Sequence, residues 1–339
     1  FDVNEIINAA DRNDRCGYPE ASWLLLFGNL PTQNDLDFYQ TVMDEFSNPP
    51  VGFIEDMIMR APSPDIMNKL ARSVLALYSY DENPDDTSVE NVVRQSLSVI
   101  ASMPMIMTAA YHVKKRYYDN ESFFLHPPIP GQSMAEDILS MLRSDRKFTH
   151  AEARLLDKCL ILHAEHGGGN NSTFAVRTLT SSGTDTYSAI AAALGSLKGP
   201  RHGGANIKVV KMFEDMKKEV HDWTDEEEVS NYLARLLHKD AFDHAGLIYG
   251  VGHAVYSKSD PRATIFKDFV EKLSKEKGLH EEFELYSLVE RLAPEVIARE
   301  RQIYKGVSIN VDFYSGFVYS MLGLPGELYT PIFAIARMV

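Results

Sequence analysis

Thr149-His150-Ala151-Glu152-Ala153-Arg154-Leu155-Leu156-Asp157-Lys158-Cys159-Leu160 carries the pattern that decides the fold. Thr149 with Glu152 makes a capping box, in which each side chain satisfies an N–H group left open where a helix starts. Leu155, Leu156, Cys159 and Leu160 then recur at the spacing of one helical face. His163 follows Cys159 by four residues and His166 follows His163 by three, so both continue the stripe. Gly167-Gly168-Gly169 ends the helix and lets backbone come close to a neighbour. His163 reads as a core histidine. His166, at the helix end before three glycines, reads as a ligand contact. A metal pair is the alternative, but the spacing is not H-E-x-x-H and no third ligand is evident.

The same grammar repeats outward. Thr87 with Glu90 makes a capping box before Val89, Val92, Val93, Leu97 and Ile100. Thr224 with Glu227 makes another before Val229, Tyr232, Leu233, Leu236 and Leu237. Asp260-Pro261 reads as N-cap plus first-turn proline, with Phe266, Phe269, Val270 and Leu273 on one face and Gly278 as the stop. Alternating strands are absent, so the expected fold is all-α, with helices packed in layers. Breaks fall at Asn48-Pro49-Pro50, at 81–86 and at 126–131. The charge-rich region from about Gly204 to Gly306 reads as solvated helix faces, and also as a smaller inserted domain. The expected division is a large helical domain over 1–203, a smaller helical domain over 204–323, and a return segment over 324–339.

Composition narrows the function classes. The chain has 339 residues and a net charge of −14, which argues against nucleic acid or an anionic membrane as main partner. Cys16 and Cys159 are the only cysteines. They give no disulfide framework, so a cytoplasmic setting is the expectation. No apolar run reads as long enough to cross a bilayer, and no signal peptide is evident. The chain opens at Phe1 and closes on an apolar run over 331–339 without a helix stop. Further residues are expected beyond both ends.

Three segments hold out polar groups where loops meet predicted helices. In Gly199-Pro200-Arg201-His202-Gly203-Gly204, His202 falls near a helix N-terminus, where a positive charge is disfavoured. It is either a structural histidine among turn glycines or a neutral donor to a forming oxyanion. Gly250-Val251-Gly252-His253 lacks the third glycine and preceding strand of a dinucleotide fingerprint. It suits a cofactor resting on backbone. Lys258 and Arg262 lie at a helix start, which cations do not prefer, so both are expected to face an anion. In Asn310-Val311-Asp312, the aspartate is either an N-cap or a base whose basicity rises by partial desolvation.

Taken together these segments resemble the citrate synthase family. The motifs that carry it are His163 to His166, Gly199 to Asn206, Gly252 to Arg262, Asn310 to Gly316 and Tyr329 to Arg337, with Trp23 to Pro31 upstream. The resemblance implies an all-α dimer of large and small domains closing over substrate, acting in the tricarboxylic acid cycle. It implies acetyl-CoA and oxaloacetate as substrates, with no permanently bound cofactor and no metal. It implies Asp312 as the base on the acetyl methyl, His202 as donor to the enolate, and His253 as the group polarising the ketone. His166, Arg262 and Arg337 match oxaloacetate-binding positions. Leu247, Gly250, Val251 and Gly252 match backbone that cradles CoA. Lys258 stands in for a basic residue that members often carry where this chain has Ser257. An arginine from the partner subunit is expected beyond residue 339. The nearest rival is a 2-methylcitrate synthase using propionyl-CoA. A silent ligand sensor would have lost Asp312, His202 or His253, and all three are present.

Overall fold

Local chemistry sets the helix starts. Thr149 caps the helix His150–Ala164, with its oxygen accepting from Glu152 N and Glu152 accepting from Thr149 N at 2.9 Å. Two predicted caps move by one residue. Ser88, not Thr87, caps the helix from Val89 through Asn91 N. Asp225, not Thr224, caps the helix from Glu226 through Glu227 N and Glu228 N. Serine and aspartate are the stronger caps and lie one residue closer to the open N–H groups. Thr224 instead donates to Asp222 at 2.6 Å.

The structure is a computed structural model that describes residues 2–165, 169–199, 202–252, 260–302 and 306–339. The chain divides into two compact units, 1–202 with 330–339, and 203–329. The first holds α1 (Val3–Arg12), α2 (Tyr18–Phe27), α3 (Gln33–Phe46), α4 (Ile66–Leu77), α5 (Val89–Tyr118), α6 (Met134–Leu142), α7 (His150–Ala164), α8 (Asn171–Thr180) and α9 (Thr186–Lys198). The second holds α10 (Ala205–Glu219), α11 (Glu226–Leu237), α12 (Pro261–Glu276), α13 (His280–Arg301) and α14 (Asp312–Met321). Then α15 (Tyr329–Arg337) returns the chain to the first unit. Among the described residues the only β pairing is one antiparallel bridge, Val251 to Ile309.

In the first unit α5 is the central rod, and α9 packs against α4 and α8. The sequence reading found no membrane-length apolar run, yet α5 is long and apolar enough to be one. Its most apolar stretch is 78% buried inside the protein, so burial in the core accounts for its composition. Cys159 and His163 are fully buried on α7. Asp157, also on α7, accepts from Gly17 N at 2.7 Å and Tyr18 N at 3.0 Å. A carboxylate thus caps the start of α2 from a distant helix.

In the second unit the core is aromatic. Phe213 of α10 stacks on Tyr286 of α13 at 3.5 Å and 7°. Tyr286 stacks in turn on Phe317 of α14 at 4.7 Å. Gly316 brings α14 close to α10, since a Cβ there would lie 2.5 Å from Val210 Cγ2. This packing fixes the helix that starts at Asp312.

Candidate active site

The first unit carries His202 and Arg337. His202 follows the end of α9 and is held by its peptide N–H to Gly199 O at 2.9 Å. Its Nε2 accepts from Ser172 N at 3.3 Å and lies 3.0 Å from Ser172 Oγ. A peptide N–H can only donate, so Nε2 must accept and the neutral ring carries its proton on Nδ1. Burial, and then the positive charge of Arg337, lower its pKa below the ordinary imidazole value. The predicted neutrality is there, but the N–H that fixes the tautomer comes from the N-terminus of α8. Asn170 caps α8 through Thr173 N at 3.0 Å and accepts from Ser172 Oγ at 2.9 Å.

Arg337 ends α15. Its Nε donates to His163 O at 2.9 Å, and its guanidinium carbon sits 4.2 Å from the Phe333 ring centroid. Tyr18 Oη donates to Ala336 O at 2.9 Å, closing the same turn. His163 packs edge-on to Phe333 at 4.6 Å. Ser172, Asn170 and Arg337, together with Val176, Leu194 and Leu197, line a cavity of about 300 Å³.

The second unit carries Asp312 and Arg262. Asp312 is the first residue of α14, half-buried beside the fully buried Phe313 and Tyr314. It is not the N-cap. Val311 is, and Asn310 Oδ1 accepts from Asp312 N at 3.0 Å. Asn310 Nδ2 also donates to Gly252 O at 3.0 Å, and Asn310 N to Gly250 O at 2.9 Å. One asparagine therefore clamps the segment 250–252 against the start of α14. Gly250 has φ +79°, and a Cβ there would lie 2.9 Å from both Phe313 Cδ2 and Val209 Cγ2. Close packing requires this glycine whether or not backbone meets a ligand. Gly252 has φ +100°, Val251 makes the bridge to Ile309, and Leu247 is 48% exposed.

Arg262 does face an anion, and it is Asp260. Nε donates to Oδ1 at 3.0 Å and Nη2 to Oδ2 at 2.7 Å. Both side chains are buried. Asp260 caps α12, so a basic residue at this helix start already has a carboxylate partner.

The described residues thus join His202 with Arg337 in one unit, and Asp312 with Arg262, Gly250, Val251 and Gly252 in the other. His166, His253 and Lys258 lie outside the described residues. Sequence reasoning missed Ser172 and the pairing role of Asp260. Ser172 lies 30 residues from His202 and carries no motif. In the sequence Asp260 reads only as a cap. Among the described residues no group of three or more His, Cys, Asp or Glu could hold a metal ion. The inventory is a neutral imidazole donor, a carboxylate at a helix start and two arginines.

Comparison with known proteins gives concordant matches. The family model described as citrate synthase, C-terminal domain, matches residues 1–339. The citrate synthase of Synechocystis sp. is 33% identical over 94% of this chain and 74% of its own length. The citrate/2-methylcitrate synthase of Bacillus subtilis is 30% identical over 94% of this chain and 79% of its own. Among solved structures, the citrate synthase of Thermoplasma acidophilum, in ternary complex with carboxymethyl coenzyme A and oxaloacetate, superposes with a TM-score of 0.80 at 28% identity, covering 98% of this chain and 81% of that one.

Proposed function

The chain belongs to the citrate synthase family of acyltransferases, and we propose that it condenses acetyl-CoA with oxaloacetate and hydrolyses the thioester to give citrate and CoA. The observation that carries the reading is the hydrogen-bonding of His202. With Ser172 N–H occupying Nε2, the ring is neutral and its one proton is on Nδ1. A thioester methyl is a very weak acid, so a carboxylate alone does not suffice to deprotonate it. Charge developing on the thioester oxygen must be met by a donor. A neutral imidazole supplies that hydrogen bond without giving up its proton, as isomerase sites do.

In this reading Asp312 takes a methyl proton and the enolate oxygen accepts from His202 Nδ1. The methylene carbon then attacks the oxaloacetate ketone, polarised by His253, and a new carbon–carbon bond forms as the ketone oxygen gains a proton. Water cleaves the thioester of the product and CoA leaves as the thiol. Arg262, Arg337 and His166 hold the oxaloacetate carboxylates, for which planar guanidinium forks are suited. Leu247, Gly250, Val251, Gly252 and Lys258 hold CoA. The units 1–202 with 330–339 and 203–329 act as large and small domains that close to exclude water. The enzyme works without a metal as a cytoplasmic homodimer of the tricarboxylic acid cycle, with an arginine from the partner subunit completing each site.

The test is product identification. Full-length protein given oxaloacetate and acetyl-CoA should yield citrate by mass spectrometry, and its absence would contradict the proposal. A second reading, 2-methylcitrate formation from propionyl-CoA, is favoured by the Bacillus subtilis relative whose name carries both activities. The two substrates differ by one methylene, a distinction worth only about 1–3 kcal/mol in an apolar pocket.

A further inference from the structure

Asp260 receives four donors on two oxygens. Oδ1 accepts from Arg262 N at 3.0 Å and from Arg262 Nε at 3.0 Å. Oδ2 accepts from Arg262 Nη2 at 2.7 Å and from Val311 N at 3.2 Å. The side chain has no exposed surface. Three of these bonds set the start of α12 and the plane of the Arg262 guanidinium. The fourth reaches across 51 residues to the N-cap of α14, one peptide before Asp312. An N-cap role alone needs only the bond to Arg262 N.

We infer that Asp260 is a positioning residue that sets Arg262 and Asp312 in register through one carboxylate. This rests on the proposed function, in which Arg262 holds oxaloacetate and Asp312 takes the methyl proton. Binding of one substrate and activation of the other then share a rigid link within the second unit. A carboxylate with every lone-pair direction engaged has little freedom to rotate, so displacement of either partner is transmitted to the other. The Val311 bond matters because misplacing a reacting group by about 1 Å costs on the order of 100-fold in rate.

Two substitutions separate the two arms. Asp260→Asn is isosteric, but its amide nitrogen cannot accept, so two of the four donors lose their partner whichever way the amide turns, and an arm to Arg262 is lost in either case. Val311→Pro removes the fourth bond and leaves the three from Arg262, and the φ of −56° at Val311 suits a proline. In thiol-release assays, Asp260→Asn should raise KM for oxaloacetate and lower kcat, each by about tenfold or more, with KM for acetyl-CoA changed less than about twofold. Val311→Pro should lower kcat by about tenfold and leave KM for oxaloacetate within about twofold. Circular dichroism checks that each variant is folded, since a purely structural loss would lower active-enzyme yield without this split. Wild-type kcat in Val311→Pro, or a change confined to KM in Asp260→Asn, would overturn the inference. If Asp260→Asn does not fold, Val311→Pro decides alone. Absence of turnover in the wild type would instead overturn the functional reading, and this inference with it.

Discussion

Replacing Gly250 by alanine should damage both stability and turnover, and the size of the effect follows from the packing. The position has φ +79°, where a side chain costs roughly 1–2 kcal/mol. The added Cβ would lie 2.9 Å from Phe313 Cδ2 and 3.0 Å from Phe313 Cα, and overpacking of a filled core costs roughly 1–3 kcal/mol. The unfolded chain loses some freedom on Gly→Ala, which offsets about 0.4–1 kcal/mol. The net loss is therefore roughly 1–4.6 kcal/mol. Gly278→Ala is the control, because φ is +70° but nothing lies within 4 Å of its Cβ. It should lose only the strain component, roughly 0–1.6 kcal/mol net. Urea unfolding midpoints measure both. Gly250 O also accepts from Asn310 N, so Gly250→Ala should lower kcat while Gly278→Ala leaves it unchanged. Equal midpoint shifts for the two variants would refute the packing argument, and unchanged kcat in Gly250→Ala would refute the link to Asp312.

Asp312→Asn should abolish turnover while oxaloacetate still binds, measured by calorimetry; near-normal activity would remove the base assignment. Arg337→Gln should raise the His202 pKa followed by NMR in the ligand-free protein, because the Arg337 charge is one of the two causes lowering it; no movement would mean that burial acts alone. Asp157 is raised by burial to about 6, above its ordinary 3.8. A folded-state value above the unfolded one gives stability that is present below about pH 4 and lost as pH rises through about 6. The wild-type unfolding midpoint should therefore fall across that window relative to Asp157→Asn, and parallel profiles would contradict the assignment.

The helical architecture was legible because it rests on local signals. Thr149 with Glu152, Asp260 with Pro261, and the stop at Gly278 are chemistry within one turn, and they hold in the structure. Thr87 and Thr224 misled because a better cap stood next to each, and spacing alone does not rank neighbours. The apolar length of α5 was underread because a helix buried in a protein core and one buried in lipid share a composition. At the site, His202 and Asp312 were legible as unusual polar groups beside glycines and aromatics. Their supports were not. Ser172, Asn310 and Asp260 act through contacts set by tertiary packing, and the bond from Val311 to Asp260 joins segments 51 residues apart. Gly250 was read for its approach to a ligand, whereas its nearest neighbours are Phe313 and Val209.

The most direct test of the central claim is thiol release by the full-length protein given oxaloacetate with acetyl-CoA, and separately with propionyl-CoA. The account predicts rapid release that requires oxaloacetate, with acetyl-CoA the better substrate. A preference for propionyl-CoA would move the same residues to 2-methylcitrate formation. No release with either substrate would contradict the account.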